Sequence, residues 1–512
     1  MKKVGLFLLV LLAIGEGAKI LAIIPFPSPS HQILASALLK ELASRGHEVT
    51  MISPNPLKNP PKNYRDIVLD DIRVWKDKTM SVTKMQDASK WDKLKIIYEV
   101  VKDAGRIVLA DPNLQSFLKE GQKFDLCIQM VGFMESLLPI SHVVNATTIG
   151  FSPIGGMPGL NYHTGIPMQY SVIPNVFLPF NDEMGFFQRL INTVVGFLMD
   201  FVMYIFILPI QNSLAVEFFP NSPNIYELLE DVDLHLINSH YATESPRAHF
   251  PNMIQIGGFH LQEKQQLPED IRSYMDSSKN GVILFSLGSN IKSADLPKEK
   301  LEGIMNAFAK SKYDILWKFE EKLPSNMKNP KNVKISSWLP QKAVLAHPKT
   351  VAFITHGGMG STVEAIYNGV PMICIPFFGD QSKNTADSVH NGYAIHLDFK
   401  DVNEDTLTSA INEITGNPVY TKVVKLRSDI YKNQEINPMD KAVFWVEHAI
   451  KHRGAKHLKP RSSKIPWYQL MLIDVYAALF AILAVSSLIS FYIIKKVINC
   501  FRAKKSKKVK TN

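Results

Sequence analysis

Two stretches far apart in the chain share one pattern, and that pattern limits the fold more than any other feature. From Lys19, the apolar run KILAIIPFP leads into SHQILASALLKELASRG, whose apolar residues recur every three or four positions, and then into a second apolar run, HEVTMIS. From Gly281, GVILFSLGSN, KLEGIMNAFAKS and YDILWKF repeat the sequence of types. Strand, helix and strand in this order build a parallel sheet, because two parallel neighbours need a crossover that a helix supplies. VKISSWLP, VAFITHGG and PMICIPF then continue the second block as buried strands. The expectation is an α/β chain of two doubly wound, Rossmann-like halves, 19–256 and 281–450. Between them IGGFHLQEKQQLPEDI, with its glycines, glutamines and proline, puts a linker at about 257–280.

The two ends of the chain read differently from the middle. Residues 1–18, MKKVGLFLLVLLAIGEGA, have two lysines, an apolar run and small residues, the pattern of a secretory signal peptide; a buried first strand is the alternative. A cut after Gly17 is favoured over one after Ala18, because Glu16 is a poor residue three places before a cut. Near the other end, 475–494 holds no charge, and at 1.5 Å per residue such a helix is about 30 Å long, the thickness of a bilayer's hydrocarbon core. Trp467 and Tyr468 on one side, and Tyr492 with Lys495 and Lys496 on the other, read as interfacial anchors.

Charge follows the same division. The chain carries a formal +10, but the basic segment 451–474 and the tail 495–512 hold six and eight of the 57 basic residues and one of the 47 acidic ones. The remainder is about −3, so a nucleic-acid partner loses its electrostatic support. The positive-inside rule puts the tail in the cytosol and the body in a lumen. Only Cys127, Cys374 and Cys500 occur, too few for a disulfide framework, and Asn145-Ala146-Thr147 is a glycosylation sequon.

Leu190–Ile210 is apolar enough to suggest a second span, but Asp200 at its centre and Asn192 near its start argue against one, since a central carboxylate costs roughly 3 kcal/mol on insertion scales. A helix of the first half that touches a bilayer or lines an apolar pocket, or an ordinary core helix, remains. Asp231-Val232-Asp233 has a metal-binding form but runs straight into the apolar LHLINS and reads as chance.

One cluster points to chemistry. Thr355–Glu364, THGGMGSTVE, places three glycines and the two hydroxyls of Ser361 and Thr362 at a helix start, where uncovered N–H groups and the positive end of the helix dipole suit a pyrophosphate. Taken with Trp338-Leu-Pro-Gln341, His347-Pro348 and FITHGGMGSTVEAIYNGVPMICIPFFGDQSKN, it resembles the donor signature of the UDP-glycosyltransferases, in the form of the insect branch. LINSH, IGGFH, HRGAKHLKP, the anchor and the lysine tail extend the likeness over nearly the whole chain.

The resemblance implies the two-domain GT-B fold, with acceptor in the first domain and UDP-sugar in the second. It implies phosphate contacts from Ser289, His356, Gly358, Gly360 and Ser361, a ribose contact from Glu364, a uracil platform from Trp338 and a nucleoside contact from Gln341. Asp380 and Gln381 would meet sugar hydroxyls. His31 would be the general base for an inverting transfer, without a metal or other cofactor. Members of the family often hold that base with an aspartate; here Met130 falls at its place, and Glu135 is either the substitute or a plain acid at a helix start.

The activity implied is transfer of a hexose, glucose by likeness to the insect branch, from UDP-glucose to a hydroxyl of a small lipophilic acceptor such as a phenol, flavonoid or plant toxin, as in detoxification or pigment conjugation. The loop SPIGGMPGLNYHTGIPMQY would cover the acceptor pocket. The chain would be a single-pass type I protein of the endoplasmic reticulum, for which Lys508 and Lys510 resemble a retrieval signal, and could form homo- or hetero-oligomers with relatives. A noncatalytic UDP-sugar-binding partner of active relatives is the alternative that the Met130 departure leaves open.

Overall fold

The computed structural model describes residues 17–79, 90–132, 134–155, 164–166, 169–262, 265–324 and 327–509. The leader expected at 1–18 lies almost wholly outside them, as does much of the glycine-rich loop over the expected acceptor pocket and Lys510 of the tail.

Both halves are doubly wound parallel sheets. In the first, β1 (Lys19–Ile23), β2 (Glu48–Ser53), β3 (Tyr64–Val68), β4 (Leu126–Met130), β5 (Thr147–Ser152), β6 (His235–Ile237) and β7 (Met253–Gln255) lie in the order β3-β2-β1-β4-β5-β6-β7. In the second, β8 (Val282–Ser286), β9 (Asp314–Lys318), β10 (Val333–Ser336), β11 (Thr350–Thr355), β12 (Met372–Cys374) and β13 (Ala394–His396) lie in the order β10-β9-β8-β11-β12-β13. Every pairing is parallel. Helices cover both faces of such sheets, so strands like β8, VILFS, are buried at every residue and read as continuous apolar runs. Strand order reverses between β1 and β4 and again between β8 and β11. A crevice opens beyond the carboxyl ends of the strands at each reversal, and there a ligand can reach the loops.

The helices that matter for those crevices follow from local sequence. α1 (Pro29–Ser44) starts on Pro29, whose missing N–H costs nothing at a first turn, and buries Leu34, Leu38, Leu39 and Leu42. α2 (Asp70–Thr79) begins with two aspartates, favourable at the positive end of the dipole. α3 (Phe186–Val202) passes through a π-helical turn, Met203–Ile207, into α4 (Leu208–Phe218). α5 (Met359–Asn368) and α6 (Gln381–His390) follow β11 and β12.

The helix α7 (Pro438–His452) falls within the stretch read as the second half, but it packs on the first. Its Ala442, Val443, Val446 and Ala449 share one core cluster with Ile20, Leu38 and Ile128. Arg45 Nη2 on the first half meets Asp440 Oδ1 at 2.6 Å. Beyond α7 the chain is pinned again, for Asp233 Oδ2 accepts from the Ala455 N–H at 3.2 Å. Asp233 therefore holds the returning chain. The stretch read as linker contains a helix, Glu269–Ser277, whose Ile271 and Met275 are buried in the second half's core.

α8 (Ile473–Val509) is one continuous helix, and its part from Ile473 to Arg502 has no residue buried against the body. α3 is the second long apolar helix, and it is not a core helix. Most of its side chains are exposed, and only Asn192 and Gly196 are buried.

Candidate active site

The side of the crevice that carries His31 is built on the turn after β1. Gln32 at the start of α1 donates to the carbonyl of Phe26 at 2.6 Å, and Asn55 donates to Gln32 Oε1 at 2.6 Å, which fixes the turn from the inside. The His31 N–H donates to the Ser28 carbonyl at 3.1 Å. The imidazole lies 5.4 Å from the Phe26 ring. Burial, aided by the Lys76 ammonium, lowers its pKa to about 4, so the ring is neutral at physiological pH.

Glu135 is placed after β4, at the start of the short helical turn Glu135–Leu137, and is buried. Yet His31 Nδ1 is buried with no hydrogen-bond partner among the described residues. The structure therefore does not join Glu135 to the His31 Nδ1. Met130 is buried in the first core cluster and has no polar atom to offer as a substitute.

The second half supplies the facing side. α5 starts at Gly358 without a side-chain cap, so N–H groups of its first turn keep no intrahelical partner. A Cβ on Gly360 would meet nothing within 4 Å, so this helix start opens onto free space. The ring of His356 is wedged between two glycines of different loops: a Cβ on Gly288 would lie 2.5 Å from its Cε1, and one on Gly358 only 2.3 Å from its Nε2. Burial and the nearby Lys318 hold His356 neutral, with a pKa lowered to about 4. Ser289 is exposed at the tip of the turn after β8, one residue beyond Gly288.

Three residues of the donor signature meet directly. Gln341 Nε2 donates to Glu364 Oε2 at 2.8 Å and to Ser361 Oγ at 3.1 Å. Burial raises the pKa of Glu364 to about 7 against the Gln341 hydrogen bond. Trp338, three residues before Gln341, has 66% of its surface exposed, which excludes a core position. Asp380 takes hydrogen bonds from Asn384 Nδ2, at 2.6 Å, and from the backbone of Met359 at the α5 start; burial nonetheless raises its pKa. Gln381 is turned inward, its Oε1 accepting the N–H groups of Phe377 and Phe378 at 2.7 and 3.1 Å. That oxygen shapes the turn after β12 and is not open to a sugar.

Three further residues converge on the crevice. Lys76 on α2 donates to Asn290 Oδ1 at 2.9 Å, and Asn290 Nδ2 donates to Ser28 Oγ at 3.1 Å. The turn after β8 is thereby tied to the turn that carries His31. Lys318, at the end of β9, donates to the Gly288 carbonyl at 2.6 Å and pairs with Glu320 at 3.2 Å. Lys318 stands near the end of the run YDILWKF, and Asn290 closes the turn of LGSN. Lys76 had no signal in the sequence, for one lysine on a charged helix reads as a solvated face. Among the described residues no group of three or more His, Cys, Asp or Glu is arranged to hold a metal ion.

Comparison with known proteins adds a second line of observation. Residues 18–511 match the family model described as UDP-glucoronosyl and UDP-glucosyl transferase. UDP-glucosyltransferase 2 of Dactylopius coccus is 33% identical over 98% of both chains. UDP-glucuronosyltransferase 2B18 of Macaca fascicularis is 29% identical over 94% of both. Among solved structures, a UDP-glucose:anthocyanidin 3-O-glucosyltransferase in complex with UDP superposes with a TM-score of 0.57 at 17% identity, over 86% of the present chain and 100% of the other. At that identity the likeness is one of fold.

Proposed function

The chain belongs to the family of UDP-glucuronosyl and UDP-glucosyl transferases and is a UDP-glycosyltransferase of GT-B fold; from that premise we propose that it moves glucose from UDP-glucose to a hydroxyl of a small lipophilic acceptor. The observation that carries the reading of the site is the pairing of a neutral, half-buried His31 at one strand-order reversal with a glycine-started helix that opens onto free space at the other. Glucose is supported by the insect relative, whose name is that of a glucosyltransferase and which is more similar than the glucuronosyl one.

The residues divide the work as follows. His31 takes the proton of the acceptor hydroxyl as its oxygen attacks the anomeric carbon from the face opposite UDP. The bond from that carbon to the β-phosphate oxygen breaks, its electron pair leaves with UDP, and the configuration inverts. Donors already in place meet the charge that develops on the leaving group: the N–H groups of Gly360 and Ser361, with His356 and Ser289 beside them. Glu364, oriented by Gln341, accepts the ribose hydroxyls, and the exposed Trp338 stacks on uracil. Asp380 addresses the sugar. The three donor-side residues that already touch one another, Gln341, Ser361 and Glu364, need little reorganisation to bind.

His31 would work without a carboxylate on Nδ1. A diphosphate bound near Lys76 offsets that cation and raises the basicity of the imidazole when donor is present. Reaction chemistry and donor pocket require no metal or other cofactor in this reading.

For its setting, we place the protein in the endoplasmic reticulum membrane, anchored by α8 as a type I protein with the body in the lumen. The basic tail supports that orientation. Asn145 is exposed on the turn before β5, with a left-handed backbone that asparagine tolerates, and would carry a glycan. The test is acceptor conjugation by membranes containing the full chain, offered UDP-glucose and UDP-glucuronate separately, with products identified by mass. A glucoside formed in preference supports the reading; a glucuronide formed in preference overturns the sugar assignment.

A further inference from the structure

An ordinary surface helix turns its apolar side in and its polar side out; α3 does the reverse. Phe187, Leu190, Val194, Leu198 and Phe201 recur at spacings of three and four and are about half or more exposed, Phe187 with 74% and Leu198 with 58% of its surface. Asn192 and Asp200 are turned to the protein, with Gln188, Arg189 and Thr193 exposed at the flanks. Asn192 is fully buried; it donates to the carbonyls of Tyr170 and Ile173 at 2.7 and 2.8 Å and accepts from the Asn175 N–H at 2.7 Å. One turn on, Gly196 admits the Tyr170 ring, which a Cβ there would approach to 2.2 Å. The hydroxyl of that tyrosine is hydrogen-bonded to the Asp200 carboxylate. The segment 169–178 thus holds Asn192 and Asp200 from below, while Phe187, Leu190, Val194, Leu198 and Phe201 above remain about half or more exposed.

We propose that this arc is a second membrane contact, with α3 lying along the bilayer surface and its apolar side chains in the interfacial layer. The inference rests on the reading of α8 as a membrane anchor, and continuity with that anchor identifies the occupant as lipid. The turn Arg461–Lys464 before the anchor packs on residue 165, where a Cβ would come within 2.5 Å of the Ser463 N. Residues 169–178, a few positions further, underlie α3. From Lys464 to the first residue of α8 the chain can extend at most about 30 Å, and less because Trp467–Leu470 is helical. The side of the body bearing α3 is therefore held near the bilayer.

A contiguous apolar arc on an amphipathic helix is what inserts about 5–10 Å into the headgroup and acyl boundary. A span is the wrong geometry for α3. Crossing would carry Asn192, Asp200 and the loop bonded to them into hydrocarbon, where their polar groups cost several kcal/mol each unless satisfied. It would also draw α4 from the body, where Leu208, Leu214 and Ala215 are buried.

The test uses the full chain reconstituted in phosphatidylcholine vesicles. Cys127 and Cys374 are buried, so a Cys500→Ser background leaves single engineered cysteines for an environment-sensitive nitrobenzoxadiazole label. Phe187→Cys and Leu198→Cys report on the arc, Val419→Cys on the exposed face of the second half, and Ile489→Cys on the anchor. Retained UDP binding by each labelled variant certifies the fold. Expected is several-fold stronger quenching at 187 and 198 by lipids spin-labelled high on the acyl chain than by lipids labelled near its end. Iodide should quench 419 strongly and the arc weakly.

Iodide quenching of the arc equal to that at 419 overturns the proposal. So does quenching of 198 chiefly by the deep lipid label, which would mean a span. Shielding from both lipid and iodide with energy transfer between labelled copies overturns it in favour of a second copy of the chain. Label 489 separates the two premises: if it too escapes the deep lipid quencher, the anchor reading fails; if it alone is quenched, only the inference about α3 fails.

Discussion

Lys76 Nζ reaches across the crevice to Asn290 Oδ1 at 2.9 Å, and Asn290 in turn holds Ser28, three residues before His31. A cation of the first half is thus fixed between the proposed base and the loop proposed to meet the phosphates.

That placement gives a pH prediction. The Lys76 charge lowers the His31 pKa, so Lys76→Met should let it rise toward its ordinary value. The base form is the active one, so the acid limb of kcat/KM moves to higher pH, with activity lost first below neutrality. A pH profile of the variant superimposed on that of wild type would show that Lys76 does not act on His31. The KM for UDP-sugar should rise as well, because the clasp on Asn290 is gone.

Glu364 predicts a second pH effect. Its pKa, raised by burial to about 7, means that a fraction is protonated at neutrality. The charged form is the better acceptor for two hydroxyls, so UDP affinity should fall as pH drops below about 7, and Glu364→Gln should flatten that dependence while weakening binding overall. Calorimetric titration at several pH values reads both. The stability sign is opposite: a carboxyl whose pKa is raised on folding favours the folded state at low pH and loses that advantage as pH rises through about 7. Ligand-free Glu364→Gln should therefore melt higher than wild type above pH 7.

The glycines around His356 separate packing from binding. Gly288→Ala places a methyl against the imidazole and also strains a backbone of φ 81°, so it should lower the melting temperature and UDP affinity together. Gly360→Ala meets nothing and adds helix propensity, a gain of up to about 1 kcal/mol. Its KM for UDP-sugar should nevertheless rise, since the methyl enters the space read as the pyrophosphate site. A Gly360→Ala enzyme with unchanged KM would move that site elsewhere.

The exposed Asn145 sequon predicts a glycan on protein made in a secretory pathway. An endoglycosidase should increase its gel mobility, and Asn145→Gln should abolish the difference with little effect on turnover, since the turn lies at the opposite ends of the strands from the crevice. No shift with enzyme treatment would show the sequon unused.

The sequence was most informative where physics is local. Parallel strands buried on both faces write themselves as apolar runs, and α5 with its glycine-rich start is contiguous with the strand before it. Trp338, Gln341, Ser361 and Glu364 were singled out by the resemblance, and lying within one short stretch, Gln341, Ser361 and Glu364 meet through hydrogen bonds. What depends on long-range contact was hidden. Lys76 and Asn290 are 214 positions apart, and neither residue type singles itself out. That the Gln381 oxygen accepts from the Phe377 and Phe378 backbone, leaving at most its amide nitrogen for a sugar, depends on how the turn after β12 folds. The apolar content of α3 was plain, but its direction depended on Tyr170 and Asn175, which come from another loop. The return of α7 to the first half was likewise invisible, since an apolar helix face does not state its partner.

The most direct test of the account is acceptor-dependent release of UDP by the full chain in membranes, for wild type and for His31→Ala, alongside a binding measurement for UDP on both. The account predicts that His31→Ala loses roughly 10²–10⁴-fold in turnover, the span typical of removing a general base, while UDP affinity stays within a few-fold of wild type. Turnover that survives the substitution would contradict the central assignment of His31 as the base.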